Sequence, residues 1–190
     1  VQGLADYWQL DAAFVDPTLK LADFRLLAMD MDSTLINIES LDEVAALAGK
    51  GHEVAAITEA AMRGEIKDYA ASLRQRVALL AGVDATLLQR VLDERLRLNP
   101  GAEALVAACR KAGLATLLVT GGFTFFTEKM QQRLGLDHVR ANAIGVADGR
   151  LTGTVSGPGG GTIIDAEGKA QAVRDICALL GCATDRAIAI

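Results

Sequence analysis

The chain has 190 residues and a net charge of −5 at pH 7; 51% of its residues are hydrophobic and 23% are charged. This composition is typical of a globular domain with room for a modest insertion and disfavours a disordered chain. The negative charge disfavours nucleic acid as a partner, and no apolar run reaches the roughly 18 residues of a membrane span. The cysteines follow no metal-binding spacing and predict free thiols in a reducing cytoplasm; they are Cys109, Cys177 and Cys182.

The first element after a mixed lead-in at residues 1–25 is an apolar run that predicts a buried strand. It spans residues 26–30 and ends in two carboxylates, Asp30 and Asp32. Ligands of open α/β sheets bind beyond the carboxyl ends of strands, so chemistry is expected here. Side chains two positions apart in extended backbone project to the same side, and two crowded carboxylates need a shared proton or a cation such as Mg²⁺.

Helical periodicity follows from Ser40 to about Leu98. Ser40 with Glu43 predicts a capping box at the first helix, and three more helices are expected at residues 53–63, 67–80 and 84–96. A helical segment inserted after a site-bearing strand can lie over the site as a lid.

Strands and helices alternate again after residue 99. We expect a helix through Leu105 and Cys109, an apolar strand at 114–119 broken by Thr120-Gly121-Gly122, and helices at 124–134 and 165–180. A hairpin is expected at 139–155 around Asp148-Gly149, and a last apolar run at 187–190. The pattern favours an α/β fold with a parallel-sheet core at residues 26–39 and 99–190, a β-hairpin and a helical cap at residues 40–98.

Two further segments complement the carboxylates. Glycines in Thr120-Gly121-Gly122, at a strand end before a helix, let main-chain N–H groups approach an anion. Lys169, early in a predicted helix, is a compact cation suited to a phosphate oxygen or a carboxylate. Each feature alone is more often a plain turn or a solvated side chain. Together, an acid pair, an anion cradle and a cation favour phosphoryl transfer.

These segments resemble the three motifs of the haloacid dehalogenase superfamily of phosphatases. The matching stretches are Asp30-Met31-Asp32-Ser33-Thr34-Leu35, Thr120-Gly121-Gly122-Phe123-Thr124-Phe125-Phe126 and Asp165-Ala166-Glu167-Gly168-Lys169. Flanking segments are similar to the phosphoserine phosphatases within it: residues 30–39, Met62-Arg63-Gly64-Glu65 and Ser72-Leu73-Arg74-Gln75-Arg76-Val77. The resemblance implies a Rossmann-like core with a helical cap, Mg²⁺ as cofactor, a small phosphorylated substrate, and a cytoplasmic enzyme of serine biosynthesis.

The resemblance also implies a role for each matching residue. Asp30 is expected to be the nucleophile that forms an aspartyl-phosphate, and Asp32 the general acid and base. Both are expected to hold Mg²⁺, Asp32 through its carbonyl. Thr120, Gly121 and Lys169 are expected to bind the phosphoryl oxygens.

Three cap residues are implied to recognise the serine portion of the substrate. Glu39 would meet its ammonium, Arg76 its carboxylate, and Met62 would close over it. Structural alternatives stay open from the sequence: Arg76 as the partner of a cap acid, Glu39 as a helix-start acid, and Met62 as core filler.

The family's fourth motif, an acidic loop that completes the metal site, would follow residues 187–190, where the sequence ends. We therefore expect this chain to bind Mg²⁺ weakly and to turn over poorly. Thr120 stands where phosphoserine phosphatases usually have serine. The hydroxyl is kept, so little loss of activity is expected from this difference.

Three other functions remain open. A signalling receiver also uses an acid pair, a hydroxyl and a lysine, but it would carry a lone aspartate after the strand at 114–119 and no helical insertion. An impaired domain that only binds phospho-ligands is a second, and a phosphatase for another small phosphometabolite is a third. The sequence predicts no oligomeric state.

Overall fold

A five-stranded sheet in the order β4-β3-β2-β1-β5 forms the centre of the protein. Neighbouring strands are parallel except for the β3–β4 hairpin. The hairpin turns at Asp148 and Gly149, whose φ angles of 50° and 72° give the turn expected from an Asp-Gly pair. The strands are Leu26–Met29 (β1), Ala115–Phe123 (β2), His138–Ala147 (β3), Arg150–Ser156 (β4) and Ala187–Ala189 (β5). The predicted α/β class, with a parallel sheet and a hairpin, is confirmed.

The structure, a computed structural model, describes Gly3, residues 7–9, Phe14 and residues 16–190. Most of the first 15 residues of the predicted lead-in therefore lie outside the described part. Within the described ranges, no helix is long and apolar enough to cross a membrane. The thiols of all three cysteines are free, as the sequence predicts.

Seven α-helices are described, and five of them lie between β1 and β2 in the chain. Their bounds are Ser40–Leu47 (α1), Gly51–Met62 (α2), Tyr69–Ala78 (α3), Thr86–Arg90 (α4), Ala102–Lys111 (α5), Thr124–Leu134 (α6) and Ala166–Leu179 (α7). We call residues 40–95 the helical insertion.

Three local predictions are wrong. The helix expected at 84–96 is α4 followed by a π-helical turn at Val91–Arg95. Ser40 is not an N-cap: it is the first residue of α1, its hydroxyl is buried without a partner, and the preceding residue occupies the cap position. The third error is the break expected at Thr120, because β2 continues through both glycines to Phe123.

The side chains of β1 alternate between two apolar cores. Leu27 and Met29 belong to a large cluster that also takes in Val44 and Leu73 of the helical insertion. Leu26 and Ala28 face a smaller cluster against α7. Burial on both faces explains why the strand is a continuous apolar run rather than an alternating one. Because the insertion shares the sheet's larger core, packing fixes its position relative to the strand ends.

The two ends of the insertion are also joined by hydrogen bonds. The Asn37 amide donates to the Arg97 carbonyl at 3.0 Å, and the Asn99 amide donates to the Leu35 carbonyl at 3.0 Å. These bonds close the neck of the insertion next to the carboxyl end of β1. The inserted helices are therefore held beside the segment that carries the paired carboxylates.

Candidate active site

The chain leaves β1 through a tight turn that carries both predicted carboxylates. Asp30 follows the last strand residue, and residues 31–35 form a tight turn, non-helical at Asp32 and Ser33, that is closed by the Ile36 amide donating to the Met31 carbonyl at 3.0 Å. Ser33 has a φ of 54°, a left-handed conformation that costs free energy for a residue with a side chain. The Ser33 amide offsets this cost by donating to the Ile38 carbonyl at 3.0 Å.

Asp30 is held by a cation from a distant element. Its Oδ2 atom accepts from Lys169 Nζ at 2.6 Å, and its Oδ1 atom accepts from the Met31 amide at 2.8 Å. Lys169 reaches this point because Asp165, the N-cap of α7, accepts from the Gly168 amide and so places the first helical turn. Both side chains remain about one third exposed, so a ligand can reach them.

Asp32 lies in a different environment from Asp30. Its Oδ1 atom accepts from the Ser40 amide at the start of α1 at 2.8 Å, and its Oδ2 atom lies 3.3 Å from the Thr120 hydroxyl. Burial raises the pKa of Asp32 to about 6, an effect opposed by the neighbouring Ser40 and reinforced by the charges of Glu39 and Asp30. The two carboxylates thus differ as a nucleophile and a general acid must: one is paired with a cation and the other protonates readily.

The second motif approaches Asp32 closely from β2. The Gly122 amide donates to Thr120 Oγ1 at 2.9 Å, which orients that hydroxyl toward Asp32. A Cβ added at Gly122 would lie 2.7 Å from Asp32 Oδ2 and 3.1 Å from Met31 Cε. The glycine is therefore required by the close approach of the two segments rather than by a turn.

The structure brings the four side chains together as two hydrogen-bonded pairs, Lys169 with Asp30 and Thr120 with Asp32, and Gly121 lies next to Thr120 on β2. The expected crowding of the carboxylates is present, since the charge of Asp30 raises the pKa of Asp32. The sequence predicts that a metal ion or a shared proton relieves the repulsion between these carboxylates. Lys169, a cation of the protein itself, already relieves part of it.

The predicted substrate residues are arranged less closely. Glu39 accepts from the Ser33 hydroxyl at 2.7 Å and does not cap α1 with its side chain, although it occupies the cap position. Arg76 forms no salt bridge with any described residue, and its buried Nε has no hydrogen-bond partner. Its charge opposes the burial that raises the pKa of Asp42 in α1, so a cap acid lies near Arg76 without bonding to it. Met62 is 83% exposed at the end of α2, which excludes core filler.

Tyr69 is a site residue that the sequence did not reveal. A Cβ on Gly121 would lie 2.0 Å from the Tyr69 hydroxyl oxygen, so the start of α3 touches the second motif. Burial raises the pKa of Tyr69, Arg76 opposes that shift, and the charges of Asp32, Asp30 and Glu39 add to it. Its tyrosine ring carried no sequence signal, because an aromatic residue at a helix start is usually packing.

The oxygen donors of this site suit a hard cation. Among the described residues no cluster of three or more histidine, cysteine or acidic side chains exists. Mg²⁺ needs no such cluster, because it commonly binds one or two carboxylates, several waters and a substrate phosphate. The Asp30 carboxylate and the Asp32 main-chain carbonyl therefore fit this ion, while the Asp32 carboxylate is held by the Ser40 amide and the Thr120 hydroxyl.

Comparison with known proteins agrees with the fold and shows the family of the chain. A family model described as haloacid dehalogenase-like hydrolase matches residues 27–190. The chain is 55% identical over 174 residues to a phosphoserine phosphatase of Albidiferax ferrireducens, covering 92% of this chain and 73% of the relative.

Two solved structures share the same architecture. A HAD family hydrolase from Salmonella enterica serovar Typhi has a TM-score of 0.85 at 32% identity; the match covers 99% of this chain and 62% of that one. A phospho-aspartyl intermediate analogue of phosphoserine phosphatase has a TM-score of 0.78 at 33% identity, and the match covers 87% of this chain and 77% of that one. The chain thus spans less than two thirds of the Salmonella protein.

Proposed function

The chain belongs to the haloacid dehalogenase-like hydrolases, and from that premise we propose that it converts O-phospho-L-serine to L-serine and phosphate. The observation that carries the proposal is the contrast between Asp30, ion-paired with Lys169 at 2.6 Å, and Asp32, whose pKa is raised to about 6. One carboxylate is suited to attack phosphorus and the other to donate a proton. The likeness to phosphoserine phosphatases supports the choice of substrate.

In the first step an oxygen of Asp30 attacks phosphorus, and the bond from phosphorus to the serine oxygen breaks. The carboxyl of Asp32 gives its proton to that oxygen, and serine leaves. The ammonium of Lys169 and the hydroxyl of Thr120, both already in contact with the carboxylates, stabilise the charge on the phosphoryl oxygens.

In the second step Asp32, now ionised, takes a proton from water. The water oxygen bonds to phosphorus, the bond from phosphorus to Asp30 breaks, and phosphate leaves. The partial burial of Asp32 suits both steps, because a carboxyl with a pKa near 6 gives and takes protons near neutral pH.

Asp30, through its carboxylate, and Asp32, through its main-chain carbonyl, are the residues that we propose to hold Mg²⁺. When bound, this ion would neutralise phosphoryl charge and orient the phosphate for in-line attack. The chain's own contribution to that site is the pair of acidic residues on one tight turn, with the substrate phosphate and water as further ligands.

The helical insertion is proposed as a cap over the serine portion of the substrate. Arg76 supports this proposal, because its buried Nε has no hydrogen-bond partner among the described residues. A substrate carboxylate would supply one. Glu39 would attract the ammonium, and Met62, exposed at the end of α2, would have to move to cover the ligand. The cytoplasmic location stays a prediction.

Phosphate release tests the function directly. We expect Mg²⁺-dependent release from L-phosphoserine that exceeds release from D-phosphoserine and phosphothreonine and disappears in Asp30→Asn. Release that persists in Asp30→Asn would exclude the aspartyl-phosphate route. Equal rates on all three substrates would instead favour another small phosphomonoester. A Mg²⁺ titration of the same preparation tests the expectation of weak metal binding.

A further inference from the structure

We propose that Asn142 is a positioning residue that holds the phosphate-binding segment of β2 and the segment leading to Lys169 in one fixed arrangement. The proposal rests on the proposed function, because it concerns the geometry of that same site. Asn142 lies on β3, is 0% exposed, and has no place in the three motifs of the sequence.

The first arm of Asn142 reaches the second motif. Its side-chain Nδ2 donates to the Gly121 carbonyl at 2.8 Å. The nitrogen of the same peptide group, on Gly122, donates to Thr120 Oγ1 at 2.9 Å. The Gly121–Gly122 peptide is therefore held at both its oxygen and its nitrogen, and its orientation decides where the Thr120 hydroxyl lies.

A bulge in β2 explains why a side chain is needed there. Between the paired positions, β2 advances four residues, from Val119 to Phe123, while β3 advances only two, from Arg140 to Asn142. Thr120, Gly121 and Gly122 therefore lie opposite the single residue Ala141, so β2 has two extra residues there and these three are out of register with the main chain of β3. Asn142 supplies a side-chain partner to the Gly121 carbonyl, which would otherwise be a buried polar group without a hydrogen bond.

The second arm of Asn142 reaches the third motif. Its Oδ1 atom accepts from the Ile164 amide at 2.8 Å. Ile164 immediately precedes Asp165, the N-cap that places Lys169 in the first turn of α7. One buried amide thus joins the segment that contacts Asp32 to the segment that contacts Asp30. Because the side chain is planar and fully buried, both hydrogen bonds set a single distance between the two segments.

Thr116, on the neighbouring strand β2, provides a matched control. It is also 0% exposed, and its hydroxyl donates to Asp137 Oδ2 at 2.8 Å and accepts from the Asp137 amide at 2.9 Å. It lies near the beginning of β2, at the end opposite the site. Thr116→Val removes two buried side-chain hydrogen bonds, as Asn142→Ala does, and so carries the cost to stability without the effect on the site.

Steady-state kinetics with L-phosphoserine and p-nitrophenyl phosphate form the first half of the test. We expect Asn142→Ala to lower kcat by about 10- to 100-fold on both substrates and to change KM by less than about threefold. Thr116→Val should keep kcat near the wild-type value at a similar loss of melting temperature. A kcat of Asn142→Ala equal to that of Thr116→Val would overturn the proposal.

Amide hydrogen exchange forms the second half, and it does not depend on the substrate. Asn142→Ala should speed exchange at the Ile164 and Gly122 amides relative to wild type and to Thr116→Val. Asn142→Asp keeps the acceptor for Ile164 but loses the donor to Gly121, so it should speed exchange at Gly122 alone; it also serves if Asn142→Ala does not fold. Unchanged exchange at both amides would refute the positioning role. If the wild-type protein hydrolyses neither substrate, the proposed function fails, and the exchange result alone decides the role of Asn142.

Discussion

The ammonium of Lys169 lies 2.6 Å from Oδ2 of Asp30, although 139 positions separate the two residues in the chain. The contact crosses from the first parallel strand to the first turn of the last helix. It leaves Asp30, the proposed nucleophile, paired with a charge that we propose moves to a phosphoryl oxygen when substrate binds. The pair therefore belongs to the chemistry of the site rather than to the stability of the fold, since exposed ion pairs contribute little to stability.

Lys169→Met should lower kcat by about 10²- to 10³-fold, because it removes a positive charge aimed at the transferring phosphoryl group. The melting temperature should change little. Steady-state phosphate release measures the effect, with Lys129→Met, a change at an exposed lysine on α6, as the control. Similar activity in the two variants would remove Lys169 from the mechanism.

Arg76→Ala should raise KM for L-phosphoserine by about 10- to 100-fold, since a charge-assisted hydrogen bond to a carboxylate contributes about 1.5–3 kcal/mol. KM for p-nitrophenyl phosphate, which has no carboxylate, should stay near its wild-type value. Arg74→Ala, a change on the exposed side of the same helix, is the control. An equal rise on both substrates would contradict the assignment of Arg76 to the serine portion.

Gly122→Ala should abolish most phosphatase activity. The new Cβ would lie 2.7 Å from Asp32 Oδ2 and 3.3 Å from Thr120 Oγ1, so the general acid must leave its hydrogen-bonded position. Gly51→Ala is the matched control: its nearest contact, at 3.4 Å to Ala46 Cα, is ordinary packing. Activity assays and melting curves of both variants test this. A fully active Gly122→Ala would show that the position of Asp32 is not critical.

Asp165→Ala should cost about 0.5–2 kcal/mol in the free energy of unfolding, because the carboxylate caps α7 by accepting from the Gly168 amide. Asp68→Ala removes the equivalent cap of α3, where the side chain accepts from the Ala70 amide, and should cost a similar amount. Urea unfolding measures both. Asp165→Ala should also lower kcat, since Lys169 lies in the turn that this cap places; unchanged kcat would show that α7 holds Lys169 without it.

Local sequence signals were sufficient wherever the chemistry is local. The apolar run of β1 predicted a strand buried on both faces, and Asp148-Gly149 predicted the hairpin. The helix that begins near Asp165 and the acidic pair after β1 were likewise readable, because each depends on residues within a few positions of one another. Ser40 shows how a local signal can fail. Its sequence pattern predicts a helix cap, but the Ser40 amide donates to the Asp32 carboxylate instead.

The two glycines of the second motif show where sequence reasoning fails. Two adjacent glycines favour a turn, but these two lie within β2. They are glycines because Asp32 leaves no space for a side chain at Gly122 and Tyr69 leaves none at Gly121. Those neighbours come from distant parts of the chain. The sequence could identify the glycines as important and could not state the reason.

The sequence by itself determined the α/β class, the order of the strands and helices, and the residue types of a phosphoryl-transfer site, since these follow from periodicity and short motifs. Only the tertiary structure decided that Lys169 pairs with Asp30, that burial raises the pKa of Asp32 to about 6, and that Asn142 joins two motifs through a bulge. The physical reason is that desolvation and hydrogen bonding act over a few ångströms in space. Residues far apart in the sequence acquire these properties only when the sheet brings the ends of its strands together.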